Sequence, residues 1–295
     1  MNGQRLRLAA LLSPVTLIIG GFFLVPLAIM ALYSLLEPGL YGGVQWSFYP
    51  DNFGRVLGWA DGTNEDFDPV YLEILLRSMK LAAQSVLLTF ALCYPTAFWV
   101  ARQPERLRNF CLFLITLPFF TSLIVRLYAW VLILRPSGFL NTVLQGLGVI
   151  GQPLDLIYTE PAVLIGMAYI FVPFMFLPIY ASVEKLDRRL LEASADLGAS
   201  RWQTWRRIIL PMTLPGISAG AIIVFIPALG NFIVPSLLGG ARVVMIGSLV
   251  EQQFLAARNW PFGAALAMLI MAAVLLCLLL YALAQRRAGA TEVTL

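Results

Sequence analysis

The sequence predicts an all-α, polytopic membrane protein of six spanning helices with both termini on the cytoplasmic side. Three observations carry that prediction. Of 295 residues, 60% are hydrophobic and only 12% are charged, against roughly 25% charged in an average soluble chain. The apolar excess is gathered into six runs, each at or above the ~20 residues that a helix needs to cross hydrocarbon. Lys and Arg collect in alternate connecting segments, and positive charge is retained on the cytoplasmic side of a membrane. A soluble core has no room for so much apolar surface. Lipid accepts it all round a helix, provided the backbone groups bond within the segment.

The first run, about Leu8 to Leu36, is too long for a signal-peptide core and lacks a clear small-x-small cleavage site, so it reads as a retained anchor. The segment after it carries Glu37, Asp51, Asp61, Glu65, Asp66, Asp68 and Glu73. Such a charge run is read as a solvated outer loop; the sharper alternative is a surface that attracts a cationic solute or its carrier protein. The second run, Leu81 to Ala101, is followed by Arg102, Arg106 and Arg108. The third, Phe110 to Leu134, holds Arg126, the one charge deep within a run. Beyond it, Val143 to Ile150 is too short to span and reads as interfacial. The fourth, fifth and sixth runs are Pro161 to Val183, Leu214 to Leu238 and Phe262 to Ala284. Arg5 and Arg7, the cluster after the second run, the cations between the fourth and fifth runs, and Arg286 with Arg287 make 13 of the 20 Lys and Arg. That distribution puts both ends inside, which an even number of spans requires.

Most chemistries lack their residues. Histidine is absent, and Cys93, Cys111 and Cys277 stand singly in apolar runs, so neither a metal cluster nor a disulfide framework is expected. Lys80 and Lys185 are the only lysines, and neither follows the glycine-rich loop that cradles phosphates. ATP, if used, must be handled by a partner, and no cofactor or catalytic residue is expected on this chain. An intramembrane protease built on Ser248 would need a base, and the two lysines are far from it in the predicted topology. A self-sufficient channel or secondary carrier fits hydropathy alone and stays open at this point.

The longest cytoplasmic segment, residues 184–211, is also the most charged. Leu186, Leu190 and Leu197 fall near one helical face, and Trp202 and Trp205 share another at i and i+3. Two short amphipathic helices are predicted, joined at Gly198, which reaches the positive φ of a helix end without steric cost. Ser200 is placed to cap the second helix.

The spacing Glu192-Ala193-Ser194, three residues, Gly198, nine residues, Ile208, one residue, Leu210-Pro211 resembles the Glu-Ala-Ala cytoplasmic loop of ABC importer permeases. The resemblance implies a type I ABC importer permease fold over residues 1–295, with 184–211 as the coupling loop within it. Glu192, Ala193, Ser194 and Gly198 would form the turn that meets the ATPase, while Ile208, Leu210 and Pro211 lead back to the membrane. Ser194 stands where the family has its second alanine. The implied setting is multi-pass in a bacterial inner membrane. The implied partners are a second homologous permease chain, two cytoplasmic ATPase subunits and a periplasmic solute-binding protein; no nucleic acid is expected.

Four further stretches are similar to the spermidine and putrescine branch of that family: Leu117-Pro118-Phe119-Phe120-Thr121-Ser122 with Arg126-Leu127-Tyr128-Ala129-Trp130, Pro173 to Tyr180 running into Glu184, Pro227 to Gly240, and Asn259-Trp260-Pro261. They imply a small amine solute. Asn231 and Ser236 are neutral where members of the branch often carry acids, which keeps opines, amino acids and other small amines open as solutes. The candidate solute-path residues are Tyr128, Trp130, Tyr169, Pro173 and Asn231. Aromatic faces can hold an amine, and prolines such as Pro173, Pro178 and Pro227 interrupt backbone bonding where a path or gate is built. Arg126 is expected to be structural, paired with helix-end carbonyls or a carboxylate at a subunit interface. Gly216 and Gly220, four apart, offer a face for close helix contact.

Overall fold

A computed structural model describes residues 2–59, 67–240 and 242–292. Asp61, Glu65 and Asp66 of the acidic segment lie outside the described residues, as do the side chains of Arg5, Arg7, Arg188, Arg286 and Arg287 on which the orientation partly rests. The elements run α1 (Asn2–Tyr33), β1 (Leu36–Pro38), β2 (Val44–Phe48), α2 (Asp51–Val56), α3 (Val70–Ala101), α4 (Glu105–Thr116), α5 (Leu123–Leu134), α6 (Phe139–Gly146), α7 (Glu160–Glu184), α8 (Arg188–Asp196), α9 (Arg201–Thr204), α10 (Leu210–Leu229), α11 (Ile246–Leu255) and α12 (Trp260–Glu292). Six candidate spans stand among them: Ser13–Tyr33, Val70–Ala101, Leu123–Gly146, Glu160–Glu184, Arg201–Leu229 and Trp260–Leu283. The helical, six-span architecture agrees with the sequence expectation. Two compact units are discernible, Met1–Glu73 with Leu249–Leu295, and Ile74–Ser248.

In the first unit α12 packs on α1, α2 and β1. Much of α1 is bare, with Phe22 82% exposed, as suits a helix whose solvent is lipid. The acidic segment contains structure that charge alone did not announce, an antiparallel hairpin of β1 and β2. One buried side chain holds it: Asn52 Nδ2 donates to the carbonyls of Ser34 (3.1 Å), Leu36 (2.9 Å) and Tyr49 (3.3 Å). Arg55 lies 4.7 Å over the Phe262 ring, fastening α2 to α12. Asp68 accepts from the Val70 N–H at the head of α3, so one acid of the segment serves as a local cap.

The second unit is built around α3, α7 and α10. The buried stripe of α3 includes small polar residues: Ser78, Ser85 and Thr89 are fully buried and return their hydroxyls to the carbonyls of Ile74, Leu81 and Ser85. Ser78 also accepts from the Ile246 N–H at 2.8 Å. Ser85 meets Met167 and Cys93 meets the Val172 carbonyl, so α3 and α7 run parallel. At their heads Arg77 (3.7 Å) and Lys80 (3.4 Å) share Glu160. α7 is unbroken despite Pro173 and Pro178. α10 lies antiparallel to it with backbones touching: a Cβ on Gly216 would overlap Ser182 Oγ and the Pro178 carbonyl, and one on Gly220 would come within 2.8 Å of Met175 Sδ. The small-residue face expected from the sequence therefore packs as expected.

The third run is corrected. The expected single helix from Phe110 to Leu134 is interrupted at Leu117–Phe120, a 3-10 turn, with Thr121 extended after it. Pro118 has no N–H to donate, and its ring crowds the carbonyl four residues back. The long apolar stretch is instead Leu123–Gly146, composed of α5, a turn and α6. Fully buried Asn141 pins the chain on either side of α6: its Nδ2 donates to the carbonyls of Arg135 and Leu154, and its Oδ1 accepts from the Leu154 N–H.

Replacing Gly216 by leucine is expected to cost about 1–3 kcal/mol through overpacking against α7. Gly146→Ala, in a helix with open space around the new methyl, should stay within about 0.5 kcal/mol of the parent. Thermal unfolding of the purified protein in detergent compares the two.

Candidate functional site

Residues 184–211 fold as a helical hairpin that continues without interruption into α10. Asp187 caps α8 by accepting from the Arg189 N–H at 2.9 Å. The helix closes on Gly198 at φ +74. Gly198 N–H donates to the Ala195 carbonyl and Ala199 N–H to the Ser194 carbonyl, the paired bonds of a glycine-terminated helix. A Cβ on Gly198 would meet nothing within 4 Å, so its backbone conformation, not crowding within the chain, demands glycine. Ser200 then starts α9 with a reciprocal cap, its Oγ accepting from the Gln203 N–H while Gln203 Oε1 accepts from the Ser200 N–H. Both features agree with the sequence expectation.

Within the hairpin, Glu192 and Ala193 face outward and Ser194 faces in, 5% exposed. The Ser194 and Thr204 hydroxyls are hydrogen-bonded at 2.6 Å, tying α8 to α9. Serine is thus a tie as well as a small residue, and Thr204 is a member of the site that sequence reasoning passed over. Leu197 is 88% exposed at the turn. Beside it a cleft of about 380 Å³ is lined by Ser194, Gly198, Gln203, Thr204, Arg207 and Ile208. An exposed leucine, small residues and an open cleft thus stand together at one tip.

The return to the bundle is stiff. Trp202 and Trp205 stack at 4.8 Å and 18°. From Trp205 to Ile209 the backbone is a π-helix, with the Leu210 N–H reaching the Trp205 carbonyl. Pro211 has no N–H for the Arg207 carbonyl to meet in an α-helix, and the π turn stands directly before it in the continuous helix. The root is held to α3 by Tyr94, whose hydroxyl lies 3.4 Å from Thr213 Oγ1 and whose ring meets Trp205 edge-on at 6.3 Å. Ile209 is buried there, while Ile208 and Leu210 are half-buried and Pro211 is exposed.

The proposed solute-path residues divide. Trp130 and Tyr169 come together, ring centroids 5.8 Å apart, and the Arg126 guanidinium lies 5.6 Å from the Tyr169 centroid. Arg126 and Trp130 are four apart on α5 and share a face; Tyr128 is two from each and points elsewhere, 54% exposed. Pro173 is buried one turn along α7 from Tyr169. Within this chain Arg126 meets the Tyr169 ring, and its Nε is buried without an acceptor among the described residues. Asn231 Oδ1 accepts from the Val234 N–H at 2.9 Å, capping an irregular stretch between α10 and α11. That stretch holds a second π turn, Pro235–Gly239, followed by Gly240 at φ +55 against the Tyr158 ring. Val234, Leu238, Val243, Met245 and Ile246 from it are buried, 4% exposed at most, which is how irregular backbone is tolerated between spans.

The model of a family described as "Binding-protein-dependent transport system inner membrane component" matches residues 94–289. The spermidine/putrescine transport system permease protein PotB of Salmonella typhimurium is 44% identical over 243 residues, 82% of this chain and 81% of that protein. PotB of Escherichia coli is likewise 44% identical, covering 82% of this chain and 85% of the relative. A chain from the crystal structure of a bacterial ABC transporter involved in the import of the acidic polysaccharide alginate superposes with a TM-score of 0.71 at 18% identity, covering 96% of this chain and 98% of that one.

Ser194→Ala and Thr204→Val should each loosen the helical hairpin by about 1 kcal/mol, the usual net worth of a hydrogen bond. The double variant should be no worse than either single one. Hydrogen exchange of the amides in α8 and α9 reads the effect.

Proposed function

Because this chain belongs to the family of binding-protein-dependent transport system inner membrane components, we propose that it is the membrane-spanning subunit of an ATP-driven importer for polyamines or a related small amine. The observation that carries the mechanism is the helical hairpin of α8 and α9, tied by Ser194 and Thr204 and continuous with α10. It lets a push at the tip reach a membrane helix without being absorbed in a flexible loop. Glu192, Ala193 and Gly198 at the tip would meet the ATPase, while Ser194 keeps the two helices together and Ile208, Leu210 and Pro211 carry the motion inward. A second homologous permease chain, two ATPase subunits and a periplasmic solute-binding protein would complete the assembly, with residues 184–211 and both termini cytoplasmic.

The solute assignment is supported by the two relatives named for spermidine and putrescine. Within this chain the Trp130 and Tyr169 faces could receive an amine. The acids of the candidate spans, Glu73, Glu160 and Glu184, all stand within four residues of a helix end. Among the described residues, a polycation crossing along these spans would meet no carboxylate away from their ends, so selection would rest on the solute-binding protein and the second permease. The same lack of acids within the spans favours, as a second reading, an opine or amino acid as solute.

Purifying the tagged chain from native membranes should bring down an ATP-hydrolysing subunit in roughly stoichiometric amount, and its absence would sink the importer reading in favour of a channel or carrier. Glu192→Lys should leave membrane insertion intact and reduce ATP-driven uptake by about tenfold or more, as expected when a charge is reversed in a buried interface; uptake at the parent rate would remove Glu192 from the contact. Titrating the cognate binding protein with putrescine, spermidine, opines and amino acids decides the solute.

A further inference from the structure

α7 ends on a carboxylate in an unfavourable place. Glu184 is its last residue, where the partial negative charge of a helix C-terminus disfavours an anion. Two donors converge on the same oxygen, Oε1: Arg108 Nη1 of α4 at 3.4 Å, and the Tyr180 hydroxyl from one turn back on α7 at 2.8 Å. The Tyr180 ring is fixed by packing, 6% exposed and stacked on Phe176 at 5.8 Å and 10°. Glu184 immediately precedes the hairpin of α8 and α9, so the first root of that hairpin is fastened to α4. Its second root is fastened to α3 through Tyr94, Trp205 and Thr213.

We propose that Arg108, Glu184 and Tyr180 form a positioning latch that makes α4 move with the root of the coupling hairpin, so that ATPase-driven displacement is delivered to α4 as well as to α10. This inference rests on the importer reading above. The ion pair is partly open to solvent, its side chains 31% and 47% exposed, so it adds little to folding stability. Its effect falls on how much of each ATPase stroke reaches the bundle.

The test uses the importer complex reconstituted in proteoliposomes, reading polyamine uptake per ATP hydrolysed. Arg108→Glu and Glu184→Arg should each lower that ratio roughly three- to fivefold, the scale of one partly exposed pair. The doubly exchanged chain should return to within about twofold of the parent, and Tyr180→Phe should give a smaller loss than either charge reversal. The latch is overturned if the single variants keep the parent ratio or if the exchanged pair is no better than either single change. It is equally overturned if uptake and hydrolysis fall together at constant ratio while the melting temperature drops, which is the signature of a merely structural pair. A parent complex that hydrolyses no ATP would overturn the importer reading itself. A fully coupled parent with an indifferent exchange series would overturn the latch alone.

Discussion

The backbone of α10 rests on α7 because Gly216 and Gly220 present no side chain where Ser182, Pro178 and Met175 stand. Lipid tails are as apolar as leucine, so no hydrophobic drive brings spanning helices together, and close dispersion contact through small residues does so instead. The antiparallel contact puts the end of α7 and the start of α10 side by side. The residues between them must therefore leave and return at one place, and the hairpin of α8 and α9 is the closed form that this allows. Its internal ties, the Gly198 turn, the Ser200 cap and the Ser194–Thr204 hydroxyl pair, can act as a unit only because both roots are already held together.

The same economy governs the irregular backbone. Three interruptions of helical bonding are answered within the protein: Asn231 caps the stretch after α10, the Tyr158 N–H reaches the Leu238 carbonyl, and Asn141 satisfies both ends of its loop. Arg126 is a case of another kind, a cation whose charge meets an aromatic face and whose Nε, like Asn52 Oδ1, Gln84 Oε1 and Ser248 Oγ, is buried and finds no partner among the described residues. With the acids of the described spans all near helix ends, this fixed charge raises the energy of any cation left unattended beside it.

Much of the fold was legible because lipid-facing segments need only be apolar and long, and because caps act over three or four residues. Gly198 and Ser200 could be placed from their neighbours alone. The break at Pro118 was harder, since Pro173 and Pro178 are absorbed within α7, where Pro173 is buried, while Pro118 sits in a 3-10 turn that buries none of its residues. Asn52 and Asn141 gave no local signal, for each gathers backbone groups that are distant in sequence. Thr204 was silent for the same reason. The arrangement of the aromatic residues proposed for a solute path was not legible: that Trp130 faces Tyr169 and Tyr128 does not depends on how α5 is turned against α7, which hydropathy does not encode.

The π turn from Trp205 to Ile209 carries one residue more than an α-helix of the same length would hold. Removing that residue would return the ladder to ordinary α spacing over the same length, so the segments before and after it would keep their faces. A one-residue change in the α-helical part of the shaft, with no such turn to absorb it, would instead turn everything before it by roughly 100° about the helix axis. The π turn is thus the place in this shaft where a one-residue difference in chain length leaves the direction of α8 and α9 unaltered.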